Sequence, residues 1–269
     1  MIAKKIIKSL LDPLTLPHKI NFHSRKLFHK WYHQRRYNKN EFEKYQKNLF
    51  KNYGIDYSNA VSNLNDKRSN YLELELKKNL PHSEHQTFFS GLSLIKKNIN
   101  RILEIGTFNA QNAFLLSVLF DKAKVITVDL PSDSNDFINS YKRADANNLK
   151  NFLNERNFRI NNRENLSIVE KSSVNLINFK EKFDLIWIDG AHFDPILTMD
   201  IINSLNLLND DGFILCDDIR KSKKNATWRT INYLKDEKII DFDLIFKSLN
   251  ANYNANPHKR SFIAVVKKC

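Results

Sequence analysis

Residues 101–113 read RILEIGTFNAQNA, and they spell a buried strand, a turn and the opening of a helix. Ile102, Leu103 and Ile105 form the short apolar run of a parallel strand covered on both faces. Gly106 breaks that run where the chain must turn sharply. Thr107 and Asn109 carry oxygens able to accept bonds from the free amides at a helix start. Ala110, Ala113, Leu115 and Leu116 continue as an apolar helix. The odd member is Glu104, since a carboxylate buried in an apolar strand is costly unless it is paired or hydrogen-bonded. A buried acid beside a strand-end glycine predicts a small-molecule site at the carboxyl edge of a sheet.

Outward from this stretch, strands and helices alternate. KVITVDL, residues 124–130, is a second buried strand ending in Asp129. An acid there can accept both ribose hydroxyls of an adenosine cofactor. It stands 25 residues after Glu104, longer than the roughly 20-residue offset of the dinucleotide fingerprint. Capping of the next helix is the competing role. A polar helix over 135–157 leads to NLSIVEKSS, residues 165–173, where Leu166, Ile168 and Val169 mark a third strand. The run FDLIWIDGAHFDPILTMDIINSLNLLNDDGFILCDDI, residues 183–219, holds two more. Phe183 to Ile188 ends in Asp189-Gly190-Ala191-His192, and Gly212 to Cys216 ends in Asp217-Asp218. Between them Ile196, Met199, Ile201, Ile202 and Leu205 carry a helix. A helix over Trp228–Leu234 and two strands, 242–249 and 261–268, close the chain as an antiparallel hairpin.

Parallel strands thus deliver Glu104, Asp129, Asp189, Asp217 and Asp218 to one edge. Three of these acids, Asp189, Asp217 and Asp218, are oxygen ligands suited to a hard cation such as Mg²⁺. A divalent ion would polarise a substrate hydroxyl and lower its pKa. His192 follows Asp189 by three residues, and an imidazole with an ordinary pKa of about 6.5 can take a proton at neutral pH. The plainer roles are a loop histidine with a structural hydrogen bond and, for Asp217 or Asp218, helix capping before Arg220–Lys224.

The LEIGT sequence around Glu104 resembles motif I of the class I S-adenosylmethionine-dependent methyltransferases, and most closely that of the catechol-type small-molecule O-methyltransferases. The resemblance implies an α/β, Rossmann-like, seven-stranded, mostly parallel sheet with a C-terminal antiparallel hairpin. It implies that Glu104, Gly106, Thr107, Phe108, Asp129, Leu130, Ser173 and Asp189 contact S-adenosyl-L-methionine. It makes Asp189 and His192 the catalytic pair, and Asp189, Asp217 and Asp218 the ligands of Mg²⁺ or another divalent cation. The chain departs from the pattern at four places: Ala110 replaces a glycine, Lys171-Ser172-Ser173 a glycine-and-acid adenine loop, His192 a lysine and Asp218 an asparagine. The DGAH form also resembles bacterial methyltransferases with sugar or natural-product acceptors. The acceptor implied is a hydroxyl of a small molecule or sugar.

The resemblance spans roughly residues 82–268, so the chain divides into a helical, basic N-terminal extension, 1–80, and a methyltransferase domain, 81–269. The net charge of +13 belongs mainly to the extension, since residues 1–50 carry twelve Lys and Arg against three Asp and Glu, or +9. Ile2, Ile6, Ile7, Leu10 and Leu11 fall at helical spacing among lysines, and Phe28, Trp31, Tyr32 and Tyr37 sit among basic residues. Such an arm packs on its own domain or a second copy, lies on an anionic membrane, or binds single-stranded nucleic acid by charge and stacking. Ser83 and Gln86 form a capping-box pattern, and His82, His85 and Gln86 read as surface polar groups, with lining of the cofactor and substrate pocket the alternative that the resemblance implies. Cys216 and Cys269 offer no disulfide framework and no apolar run has transmembrane length, which predicts a cytoplasmic protein, peripheral to a membrane if the arm binds one. A nicotinamide-dependent dehydrogenase is disfavoured by the missing G-x-G-x-x-G and by the hairpin. An RNA-directed methyltransferase, or a methyltransferase-like binding protein using the arm, is the second reading.

Overall fold

The computed structural model describes residues 39–71, 83–141, 143–247 and 261–269. The first 38 residues, with the amphipathic stripe and most of the aromatic-basic run, lie outside the described residues, as do His82 and positions 248–249.

Seven strands form one sheet: β1 (Arg101–Ile105), β2 (Lys124–Asp129), β3 (Leu166–Glu170), β4 (Phe183–Ile188), β5 (Leu208–Ile219), β6 (Ile240–Phe246) and β7 (Phe262–Lys268). Their order is β3-β2-β1-β4-β5-β7-β6, with β7 antiparallel to both neighbours and the other pairs parallel. This is the Rossmann-like sheet with a closing hairpin expected from the alternation. Inserting β7 antiparallel makes β6 run in the same direction as β5, so both end at the edge that carries the acids.

Eight helices flank the sheet among the described residues: α1 (Lys39–Asn52), α2 (Tyr57–Asn70), α3 (Glu84–Ile95), α4 (Gln111–Leu119), α5 (Asn135–Asn139), α6 (Ala146–Asn161), α7 (Ile196–Leu207) and α8 (Ala226–Asp236). The single polar helix expected over 135–157 is two. Ser134 caps α5, the chain breaks after Asn139, and Asp145 caps α6 through the Asn148 amide. Short polar side chains that bond backbone amides make new starts inside a polar run. The fifth strand begins at Leu208, not Gly212, and extends through Asp217 and Asp218.

Apolar side chains fill both faces of the sheet. One cluster joins Leu115, Leu116, Trp187, Phe213 and Ile245 to Phe88 and Phe89 of α3 and to Leu49, Phe50, Ala60 and Leu64 of α1 and α2. The other joins Leu103, Ile186 and Ile214 to Leu197 and Ile201 of α7 and Ile231 of α8. The N-terminal helices α1 and α2 therefore share the core of the sheet. A polar tie reinforces this: the Gln46 side chain accepts from the Phe246 amide at 3.0 Å and donates to the Phe246 carbonyl at 3.2 Å. Its Nε2 also donates to Glu84, which accepts from Tyr57 as well.

Candidate functional site

The carboxyl ends of β1, β2, β4 and β5 open on one edge, and the loop after β1 is shaped by close backbone approach. Gly106 takes φ +98°, and a Cβ there would lie 2.3 Å from the Asp189 carbonyl and 2.8 Å from the Gly190 Cα. No side chain fits. The Gly106 amide bonds the Val128 carbonyl and the Asp189 amide the Ile105 carbonyl, so the ends of β1, β2 and β4 are fastened together. Phe108 and Ala110 also adopt positive φ, 46° and 60°. Ala110 occupies the N-cap position of α4. Thr107 and Asn109 do not hold that position: Thr107 bonds Thr127 instead, while Asn109 accepts only a long 3.3 Å bond from Gln111.

Glu104 is buried and fully engaged. Its Oε2 accepts from the Thr127 hydroxyl at 2.6 Å and its Oε1 from the Asn112 amide at 2.9 Å. Because Thr127 gives its proton to Glu104, the 2.7 Å contact between Thr107 and Thr127 has Thr107 donating. Burial pushes the Glu104 carboxyl up to about 7, with Thr127 and Asn112 pulling the other way. Asp129 accepts from the amides of Phe108 (3.1 Å) and Leu130 (2.8 Å), which fixes its carboxylate over the glycine loop. It caps no helix, because Ser134 has that role. Burial raises its pKa, while Leu130, Phe108 and then Arg143 act against the rise. Phe108, about half exposed, stands edge-on to Tyr141 and Phe152. Ser173 opens a short 3₁₀ turn, Ser173–Asn178. It lies beside Asp200 of α7, whose carboxyl burial pushes up to about 6 while Ser173 draws it down. Among the described residues, neither buried Asp200 oxygen has a partner at full hydrogen-bond geometry.

On the other side of the edge stand the remaining acids. Successive strand residues point to opposite faces, yet Asp217 and Asp218 reach one partner. The register between β5 and β7 shifts between Cys216 and Ile219, and Asp218 has φ +52°. That bulge turns the second carboxylate back toward the first; aspartate tolerates the left-handed region better than most residues. Neither acid caps α8, whose N-cap is Asn225. The shared partner is Lys247, directly after β6. Its ammonium lies 2.5 Å from Asp217 Oδ2 and 2.9 Å from Asp218 Oδ1. Its backbone is pinned on both sides, its amide to the Ser261 carbonyl and its carbonyl to the Glu84 amide at the start of α3. Burial opposes the charge on Lys247, but Asp217 and Asp218 outweigh it and raise the pKa.

Asp189 directly follows β4 with its side chain still reaching solvent. Its carboxyl is pushed up by the protein packed around it and then by Asp217, while Lys247 opposes the rise. His192 is about half exposed, its Nε2 4.0 Å from Asp218 Oδ2. As placed, Asp189, Asp217 and Asp218 do not make a metal-ligand set: no group of three or more His, Cys, Asp and Glu among the described residues could hold a metal ion.

Two residues of this edge were not assigned there from sequence. Lys247 follows the sixth strand by one residue, and its signal is topological, since a hairpin that brings β6 parallel to β5 lands its end among the acids. His85 is no surface group. It is buried, stacks on Trp187 at 4.4 Å, and its Nδ1 lies 2.8 Å from Ser83 Oγ. Burial and then the charge of Lys247 push it down to about 3, so the ring is neutral. Ser83 is at the N-cap position of α3 without a side-chain cap, so the capping box does not form. Gln86 is half-buried, and among the described residues its sealed Oε1 has no partner.

No curated protein matches this sequence. Solved structures of similar shape include the O-methyltransferase TomG of Streptomyces achromogenes, in complex with SAM (14% identity, 87% of this chain and 98% of that one, TM-score 0.47). The O-methyltransferase of Bacillus cereus, in complex with SAH, is 16% identical over 77% of this chain and 91% of that one, with TM-score 0.47. An rRNA methylase of Streptococcus thermophilus is 16% identical over 66% and 91%, with TM-score 0.46. Likeness at that distance assigns no residue. The family model described as a methyltransferase domain matches residues 103–219, from within β1 to the end of β5. Over residues 103–219 the chain is thus similar to methyltransferase domains, and the glycine loop and the strand-end acids all lie within that match.

Proposed function

We propose that the domain moves the methyl group of S-adenosylmethionine to a hydroxyl oxygen of a small molecule or sugar. The observation that carries this reading is the split of the sheet edge into two halves. One half, the Gly106 loop with Asp129 fixed above it, suits an adenosine cofactor. The other, Asp189, His192, Asp217 and Asp218 with Lys247, suits a hydroxyl that must lose a proton. In the reaction the acceptor oxygen attacks the methyl carbon, the O–CH₃ bond forms and the S–CH₃ bond breaks. The electron pair goes to sulfur and leaves S-adenosylhomocysteine, and the hydroxyl proton goes to His192 Nε2 as general base. Asp218 Oδ2 lies 4.0 Å from that nitrogen. Asp129 accepts the ribose hydroxyls, and Glu104 braces the loop through Thr127 and Asn112. S-Adenosylmethionine supplies the electrophilic methyl. No step passes through a metal ion, because Lys247 stands between two of the three carboxylates that one would need.

Calorimetric titration with S-adenosylhomocysteine tests the cofactor half. Wild type should bind, and Asp129→Ala should bind about 10–100-fold more weakly while remaining folded at the titration temperature. Equal affinity would remove the ribose role. Labelled methyl transfer to a panel of hydroxylated small molecules and sugars tests the other half, with His192→Ala lowering turnover but not cofactor affinity.

A second reading is an RNA-directed methyltransferase, favoured by the +9 charge of residues 1–50. It requires an RNA affinity that falls steeply with salt and is lost when that segment is deleted.

A further inference from the structure

The geometry points to Lys247 as the built-in cation of this site: its ammonium, held between Asp217 and Asp218, stands where a divalent ion would have to sit. The inference rests on the hydroxyl-methylation reading and names the group that replaces a metal in it.

Three observations carry it. The ammonium is within hydrogen-bond reach of both carboxylates, 2.5 Å from one and 2.9 Å from the other. The lysine is placed by the fold, since its amide and carbonyl are both bonded, across the hairpin to Ser261 and to the first turn of α3. Asp217 is almost wholly buried, and among the described residues its Oδ1 has no hydrogen-bond partner, so the ammonium meets that acid through Oδ2. A metal entering between these carboxylates would have to displace the ammonium or lie against it, and like charges at that distance repel. An ammonium offers three N–H donors. Two are taken by the aspartates, and among the described residues the third has no partner. It is the donor left for an acceptor oxygen, whose negative charge grows as its proton leaves for His192. Methyl transfer then needs no divalent ion.

The test is Mn²⁺ titration of the full chain, followed by electron paramagnetic resonance, beside Lys247→Met. Wild type should take up no ion at this site at millimolar Mn²⁺, and its methyl transfer should be unchanged by a chelator. Lys247→Met leaves two uncompensated carboxylates and should gain one Mn²⁺ per chain, lost again in Lys247→Met with Asp217→Asn. One Mn²⁺ bound per wild-type chain would overturn the inference. So would chelator-sensitive transfer restored by Mg²⁺, or a folded Lys247→Met that takes up no ion. Lys247→Arg, which keeps the charge, should stay free of Mn²⁺; it serves as the partner variant if Lys247→Met does not fold, and uptake by it would also overturn the inference. S-Adenosylhomocysteine affinity is measured in parallel, so that loss of the cofactor site reads separately from failure of the cation assignment.

Discussion

Gly106 and Asp189 meet backbone to backbone: a Cβ on Gly106 would stand 2.3 Å from the Asp189 carbonyl oxygen. The first acid of the proposed acceptor side therefore hangs from the same contact that shapes the Gly106 loop. Gly106→Ala must push β1 and β4 apart at their ends as well as adopt a φ of +98°. The expected cost is roughly 3 kcal/mol or more, with loss of S-adenosylhomocysteine binding even at temperatures where the variant stays folded. Urea unfolding and calorimetry check both parts; wild-type affinity in the alanine variant would mean that the loop does not hold the cofactor.

Four residues further on the sign reverses. Ala110 is a buried residue at φ +60°, a conformation that glycine reaches without strain. Ala110→Gly should stabilise the fold by about 1 kcal/mol, the left-handed penalty less the extra chain entropy of glycine. A lower melting temperature in the glycine variant would show that the Ala110 methyl's packing outweighs the strain.

Glu104 gives a pH dependence. Burial raises its carboxyl from 4.5 to about 7, so folding favours the protonated form. The stability this contributes is complete below pH 4.5, fades as the pH rises toward 7, and is absent above it. Glutamine is neutral throughout. Glu104→Gln should therefore gain on wild type between pH 5 and pH 8, toward a limit on the order of 3 kcal/mol for this shift. Chemical unfolding at the two pH values measures it, and a gap that does not change with pH would show that Glu104 ionises alike in folded and unfolded chains.

The sheet was legible because its strands are apolar runs cut off by glycine or acid, and periodicity reads such runs well. The acid-bearing edge was legible for the same reason: Glu104 and Asp129 interrupt hydrophobic strands, and a charge in that setting must have a partner or a task. What stayed hidden depends on contacts between distant residues. Lys247 looks like one of many lysines until the hairpin carries it to Asp217, thirty residues away in sequence. His85 reads as polar surface until Trp187 covers it. The break between α5 and α6 was missed because two local caps outweigh a continuous polar pattern, and the bulge at Asp218 because a backbone angle leaves no trace in composition.

The paired bonds from Gln46 to Phe246 have a consequence for how the molecule meets copies of itself. β6 is the outermost strand on its side, and an outermost strand offers free amides and carbonyls to any passing strand. By taking one amide and one carbonyl of Phe246, the Gln46 side chain imitates a neighbouring strand at that point. Helix α1 thereby covers the border of the sheet at Phe246. A chain shortened to begin after α2 would lose that cover and present the Phe246 amide and carbonyl to strand pairing.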